Sequence, residues 1–134
     1  MQSDRYPLLI APDFSRQEYV QITPRSAQWD YLNFAARQIK QGKMWHFETH
    51  DNELALVVLG GICEITSNMG KWMDVGRRPN VFTGMPYTLY LPPDTRFTVE
   101  AKSKQLDIAY GWCVAKETHP ARLVKPVLPP TVHR

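Results

Sequence analysis

Short runs rich in β-branched, aliphatic and aromatic residues follow one another through most of this chain, and this spacing is what most constrains its fold. Residues that favour turns separate the runs at 51–52, 68–70, 92–95 and 102–104. Regularly spaced short strands with turn signals between them are typical of an antiparallel sandwich or barrel. The sequence therefore predicts an all-β fold. The runs are "ELALVVLGG", "ICEITSN", "YTLYLP", "RFTVEA" and "LDIAYGWCVA".

Three segments bear on the strand arrangement. The run 54–59 is apolar at both odd and even positions, so the strand is predicted to be central in its sheet. "NFAARQIK", 33–40, can be read as an extended segment or as a short helix. The glycine-bounded segment "GKWMDVG", 70–76, is predicted to be a loop between strands.

A chain of 134 residues is long enough for one domain with a hydrophobic core and short for two. We predict one domain over residues 1–134, with its core at about 21–124. Both ends are rich in proline, which cannot donate a sheet hydrogen bond, and both are predicted to lie over the domain as extended arms. A linker to a further segment is the alternative for the C-terminal end, because three of the 11 prolines fall in its last nine residues.

Composition excludes several classes of partner. No apolar stretch approaches the roughly 20 residues of a membrane helix, and no secretory leader is visible, so we expect a cytoplasmic protein without a membrane partner. The net charge of +3 comes from scattered basic residues with one doublet, Arg77 and Arg78, so no nucleic-acid partner is expected. Cys63 and Cys113 are predicted to be reduced, packed thiols.

A polar cluster lies in "MWHFETHDNE", residues 44–53. On a strand, His46, Glu48 and His50 would emerge on one face, and imidazole and carboxylate groups at that spacing can converge on a divalent metal. No histidine occurs between Asp51 and Glu117 to complete such a site from a facing strand. A partly exposed polar face is therefore the favoured interpretation, with metal coordination or ligand contacts as alternatives. No metal ligand and no catalytic residue is assigned.

Sugar recognition is the other chemistry that the residues allow. Aromatic side chains such as Trp45, Tyr87, Tyr90, Tyr110 and Trp112 could stack on a sugar face, or could pack in the core. Arg77, Arg78 or Arg96 could hold a carboxylate through paired hydrogen bonds, although exposed surface is the default position for an arginine. The candidate ligand-binding residues are Glu48, His50, Glu53, Tyr90 and Arg96.

The spacing from Gly42 through Glu48, His50 and Glu53 to Gly60 resembles the first motif of the cupin superfamily, G-x5-H-x-H-x3,4-E-x6-G. Glutamate stands in place of its first histidine. The second cupin motif is echoed by the segment 92–97, in which phenylalanine stands where the last metal-binding histidine belongs. The resemblance implies a jelly-roll barrel of cupin type without a metal site in this chain, its polar cluster being an inward strand face.

Longer segments are similar to the N-terminal half of the 5-deoxy-glucuronate isomerases of myo-inositol catabolism, which are related to the 4-deoxy-5-ketouronate isomerases. The similarity spans about 21–124, in the family's order. It implies an aldose–ketose isomerisation of a deoxy-uronate, with a divalent metal held by a C-terminal cupin and none in this chain. The segments are "ITPRSAQWDYLNF", "ETHDNELALVVLGGICEIT", "RRPNVFTGMPYTLYLPPDTRFTVEA" and "HPARLV".

Two functions follow from the resemblance. The first is the metal-free N-terminal half of such an isomerase, inactive alone and packed against a second cupin domain or a second copy in a homodimer. The alternative is a stand-alone cupin that binds a small acidic sugar or organic acid without turnover, with Arg96, Tyr90, Glu48 and His50 lining the barrel. A small metalloenzyme built on the polar cluster is a third, weaker hypothesis.

Overall fold

The computed structural model describes residues 15–22, 32–76 and 86–126, and every regular element in these ranges is a β-strand. The strands are β1 (Glu18–Ile22), β2 (Asn33–Lys40), β3 (Met44–Glu48), β4 (Asn52–Gly60), β5 (Cys63–Ser67), β6 (Gly70–Val75), β7 (Thr88–Leu91), β8 (Arg96–Ala101), β9 (Gln105–Val114) and β10 (Arg122–Val124).

The strands form two antiparallel sheets. One has six strands in the order β1-β2-β9-β4-β7-β10, and the other has four in the order β3-β8-β5-β6. Neighbours in a sheet are often distant in sequence, as when β9 inserts between β2 and β4. Two sheets connected by such crossovers agree with the predicted all-β jelly-roll, which is confirmed.

The core lies between the sheets and follows from alternation along each strand. In β4, the side chains of Leu54, Leu56 and Val58 are at most 1% exposed. Phe97 and Val99 of β8 lie in the same core on the other sheet. Antiparallel strands turn alternate residues to the same side, so one register places a whole apolar set inside. β4 lies between β9 and β7, which confirms the prediction of a central strand.

Two segments that the sequence left open or assigned to a loop are strands. The segment 33–40 is β2, and the helical alternative is wrong because its buried positions, Ala35 and Ile39 among them, belong to a strand paired on both sides. The prediction of a loop at 70–76 is also wrong. Residues 70–75 form β6, in which Trp72 pairs with Ile65 of β5 and packs against the core, so the glycines bound a hairpin strand.

The larger sheet takes in the start of the predicted C-terminal arm, 122–134. Arg122–Val124 pairs with β7, so these three residues form a strand and not part of an extended arm. The strand ends before Pro126, which cannot donate to the ladder. Glu18–Ile22, which follows the predicted N-terminal arm at 5–14, pairs with β2. The N-terminal arm, residues 127–134 and the arginine doublet lie outside the described residues. No helix in the described ranges is long and apolar enough to cross a membrane.

Candidate functional site

The polar residues of β3 face away from the core. Along this edge strand Trp45 and Phe47 are half-buried and pack against the core, while His46 and Glu48 are exposed. His46 Nδ1 lies 2.8 Å from Thr98 Oγ1, and Glu48 stands opposite Arg96 on β8. This exposure agrees with the interpretation of a partly exposed polar face. The inward face that the cupin resemblance implied is wrong, because the register of β3 places its aromatic residues in the barrel interior. His46, Glu48, Arg96 and Thr98 instead line an open groove of about 410 Å³.

His50 does not continue that face. β3 ends at Glu48, and His50 lies in the following turn with a φ of 52°, in the left-handed region. Its ring is 72% exposed, and its Nδ1 lies 4.0 Å from a carboxylate oxygen of Glu48. The backbone carbonyl of His50 accepts a hydrogen bond of 2.8 Å from the Asp94 amide. The predicted three-residue face is wrong because the chain turns before the third residue.

A second polar cluster lies on the outer side of the six-stranded sheet. Tyr90 donates a hydrogen bond of 2.8 Å to Glu53 Oε2, and Cys113 Sγ lies 3.9 Å from Glu53 Oε1. The His119 ring centroid is 6.5 Å from that of Tyr90. Tyr90 points outward because its strand neighbours Leu89 and Leu91 are fully buried, so its predicted position inside the barrel is wrong.

Raised pKa values keep the Tyr90 hydroxyl and the Cys113 thiol of this cluster protonated near neutral pH. Burial, followed by the hydrogen bond to Glu53 and the charge of that carboxylate, raises the pKa of Tyr90 to about 12. Burial and the Glu53 carboxylate also raise the pKa of the Cys113 thiol. A neutral thiol is a poor nucleophile, so this arrangement favours hydrogen bonding over covalent chemistry.

Of the five predicted ligand-binding residues, the structure joins Glu53 with Tyr90 on one sheet and Glu48 with Arg96 on the other. His50 adjoins the second pair. Sequence reasoning missed Cys113 and His119 as neighbours of Glu53. Cys113 lies opposite Glu53 only through the long-range pairing of β9 with β4, and His119 comes from an irregular segment, so no local sequence pattern pointed to either residue.

Aromatic rings fill the barrel interior near β3. The Trp45 centroid lies 4.6 Å from that of Tyr110, and Trp112 stacks on Tyr110 at 5.5 Å with an interplanar angle of 22°. Phe47 and Phe97 pack at 5.7 Å in the same cluster. Tyr110 is 1% exposed. Of the two interpretations of these aromatics, the structure favours core packing for Tyr110 and leaves edges of both tryptophans at the surface.

A buried ionic group adjoins the aromatic cluster. Arg37 Nη2 donates to Glu18 Oε2 at 3.2 Å, and the Tyr110 hydroxyl donates to the same oxygen at 2.6 Å. The Arg37 guanidinium also lies over Trp45, 4.8 Å from the ring centroid. Burial and the Glu18 hydrogen bond raise the pKa of Tyr110. Sequence reasoning missed this group, because β1 was not predicted to pair with β2.

The described residues do not fit a metal ion. No three histidine, cysteine, aspartate or glutamate side chains within these ranges are placed to share one cation. Phe97, at the position of the missing cupin histidine, is 3% exposed and packs in the core, where it offers no donor atom. We therefore derive no chemical step through a metal held by this part of the chain. Both cysteines are free thiols, as predicted, and Cys63 is buried.

Comparison with known proteins gives a consistent result. The chain matches the model of the KduI/IolB family over residues 8–134. It is 36% identical over 124 residues to the 5-deoxy-glucuronate isomerase of Geobacillus kaustophilus, covering 88% of this chain and 44% of that protein. The corresponding figures for the Geobacillus thermodenitrificans protein of the same name are 35% identity, 80% and 39%. The chain thus spans about two fifths of the length of these relatives.

Solved structures support the same assignment. An IolB-like protein from Salmonella typhimurium superimposes with a TM-score of 0.75 at 26% identity, over 81% of this chain and 41% of that one. Bacillus subtilis oxalate decarboxylase shares the fold alone, with a TM-score of 0.57 at 16% identity over 75% of this chain and 27% of the other. The resemblance noted in the sequence is confirmed, and the chain belongs to the KduI/IolB family.

Proposed function

We propose that this chain is the N-terminal cupin half of a 5-deoxy-glucuronate isomerase of inositol catabolism. The observation that carries the proposal is the 36% identity over 124 residues to a protein of that name, of which this chain covers 44%. The family model matches residues 8–134, and the two-sheet barrel has the architecture of a single cupin.

The proposed reaction is an aldose–ketose isomerisation of a deoxy-uronate. A base moves a proton from the hydroxyl-bearing carbon beside the aldehyde to the former aldehyde carbon, and the hydroxyl proton passes to the former carbonyl oxygen, so no oxidant or reductant is consumed. A divalent metal that polarises the carbonyl would be held by a C-terminal cupin. This chain's part is to pack against that cupin and complete the shape of its pocket, and we assign it no catalytic residue.

The stand-alone binding module is not favoured. The curated relatives are named isomerases. The residues predicted to share one acidic-sugar site are divided between the outer faces of two different sheets, with Glu53 and Tyr90 on one and Glu48 and Arg96 on the other. A second cupin domain or a homodimer as partner, and a cytoplasmic location, stay proposals.

Complementation tests the proposal. The chain is mixed with the separately expressed remaining part of the Geobacillus kaustophilus isomerase, loaded with manganese or zinc, and conversion of 5-deoxy-glucuronate is followed. We expect the mixture to exceed the summed rates of the two components and the components to co-elute in size-exclusion chromatography. A cupin from outside the family, such as one oxalate decarboxylase domain, is the matched control. Absence of both association and rate gain would contradict the proposal.

A further inference from the structure

The ionic group inside the barrel resembles a carboxylate held in a binding site. The Glu18 and Arg37 side chains are 20% and 17% exposed, and Tyr110 is 1% exposed, so the carboxylate lies largely out of water. Both hydrogen bonds to Glu18 end on one oxygen, Oε2. Trp45 covers one face of the guanidinium.

Arg37 is only partly used by Glu18. Its contact is a single bond from Nη2, whereas a guanidinium can hold a carboxylate through two parallel bonds. Within the described ranges Arg37 Nε is buried and has no hydrogen-bond partner. Buried donors in native proteins are nearly always paired, and an unpaired one costs free energy. The arginine therefore retains a donor that an exogenous carboxylate could bind.

We propose that Arg37 and Tyr110 form a binding site for a small carboxylate, occupied in this structure by the chain's own Glu18. Trp45 lies against the Arg37 guanidinium and Trp112 stacks on Tyr110, so both rings pack around the site and hold its donors in place. The chemical group that the site matches is the carboxylate itself.

The position of Glu18 allows exchange. Among the described strands, β1 lies at the edge of its sheet and pairs only with β2, and its register is irregular between Glu18 and Val20. Detaching one edge strand breaks fewer contacts than opening the core, so local opening there has a low free energy. Withdrawal of β1 removes Glu18 and exposes Arg37 without separating the two sheets. This proposal does not depend on the proposed isomerase function.

Chemical rescue of Glu18→Ala tests the site. The melting temperature of the 134-residue chain is measured with sodium acetate and with D-glucuronate, each at matched ionic strength against sodium chloride. We expect both carboxylates to raise the melting temperature of Glu18→Ala by about 3 °C or more at saturating concentration, and to leave the unaltered chain within about 1 °C. D-glucose, which lacks the carboxylate, should have no such effect.

Two further variants serve as controls. Glu117→Ala removes a carboxylate that is 80% exposed and lies outside the ionic group, and this variant should behave like the unaltered chain. Adding Arg37→Met to Glu18→Ala should abolish the rescue. If Glu18→Ala does not fold, the affinity of Glu18→Gln for glucuronate is measured by calorimetry instead. We expect glucuronate to bind Glu18→Gln at least about tenfold more tightly than it binds the unaltered chain.

Three results would overturn the proposal. These are equal responses of the Glu18 variants and the unaltered chain, rescue that persists without Arg37, and rescue by glucose equal to that by glucuronate. Any of these results would mean that the ionic group only stabilises the packing of β1 against the barrel. The complementation assay for isomerase activity is unaffected by that outcome, so the two proposals can fail separately.

Discussion

Replacing Leu56 by alanine removes three buried carbons from the centre of the barrel core. Leu56 is fully buried on the central strand β4, with Leu89 opposite it on β7 and Tyr110 opposite it on β9. Transfer of three carbons to water costs about 2.4 kcal/mol at about 0.8 kcal/mol each. A cavity flanked by paired strands on both sides collapses poorly, so we expect a total loss of about 3 to 5 kcal/mol.

Urea unfolding followed by tryptophan fluorescence measures this loss. With a slope of about 2 kcal/mol per molar, the midpoint should fall by about 1.5 to 2.5 M with the slope unchanged. Val114→Ala is the matched control, since Val114 is 71% exposed, and it should move the midpoint by less than about 0.3 M. Equal shifts for the two variants would refute the assignment of Leu56 to the interior face of β4.

Three further predictions concern turns and titration. His50→Ala should lower the free energy of unfolding by less than about 1 kcal/mol, because the His50 ring is exposed. His50→Gly should leave that free energy unchanged or raise it, because a φ of 52° suits glycine. A loss above about 3 kcal/mol in chemical denaturation would contradict this. Gly61→Ala should destabilise the chain by more than about 2 kcal/mol in the same assay, because its φ is 94° and an added Cβ would overlap the Gln105 carbonyl oxygen. Gly42→Ala is the control, and it should cost less because the space around Gly42 is open. The pKa of Tyr90 is raised to about 12 in the folded chain from an ordinary value of 10.0, so its contribution to stability is complete below pH 10 and is lost as the pH rises toward 12. Tyr90→Phe should therefore lose about 1 kcal/mol at neutral pH and show a shallower alkaline decline, measured by urea midpoints at a series of pH values; an unchanged decline would contradict the raised pKa.

The fold class was predictable because each β run carries its own alternation and its own turn signals. In β4, residues on both faces of the strand are apolar, and this pattern identified a central strand before any register was known. β6 could not be recognised in the same way. Its exposed residues, Met73 among them, disguise the alternation, and its core contacts come from Trp72 and from Val75 at the end of the strand. β1 depends on pairing with β2, which is a long-range contact that local patterns do not encode.

The site was harder to predict than the fold. The alternation of side chains along a strand shows which residues share a face, but it does not show which face points into the barrel. His46 and Glu48 do share a face, as predicted, yet the aromatic residues between them occupy the barrel. His50 left that face because the strand ended two residues earlier. The cluster around Glu53 and the group around Arg37 join residues from strands far apart in sequence, so only the sheet topology brings them together.

The rate of 5-deoxy-glucuronate conversion by the purified chain alone, with manganese or zinc in excess, tests whether this half of the isomerase catalyses the reaction by itself. We expect no rate above that of a metal-only blank, because the chemistry is assigned to a C-terminal cupin. Turnover that rises in proportion to the concentration of this chain would contradict it.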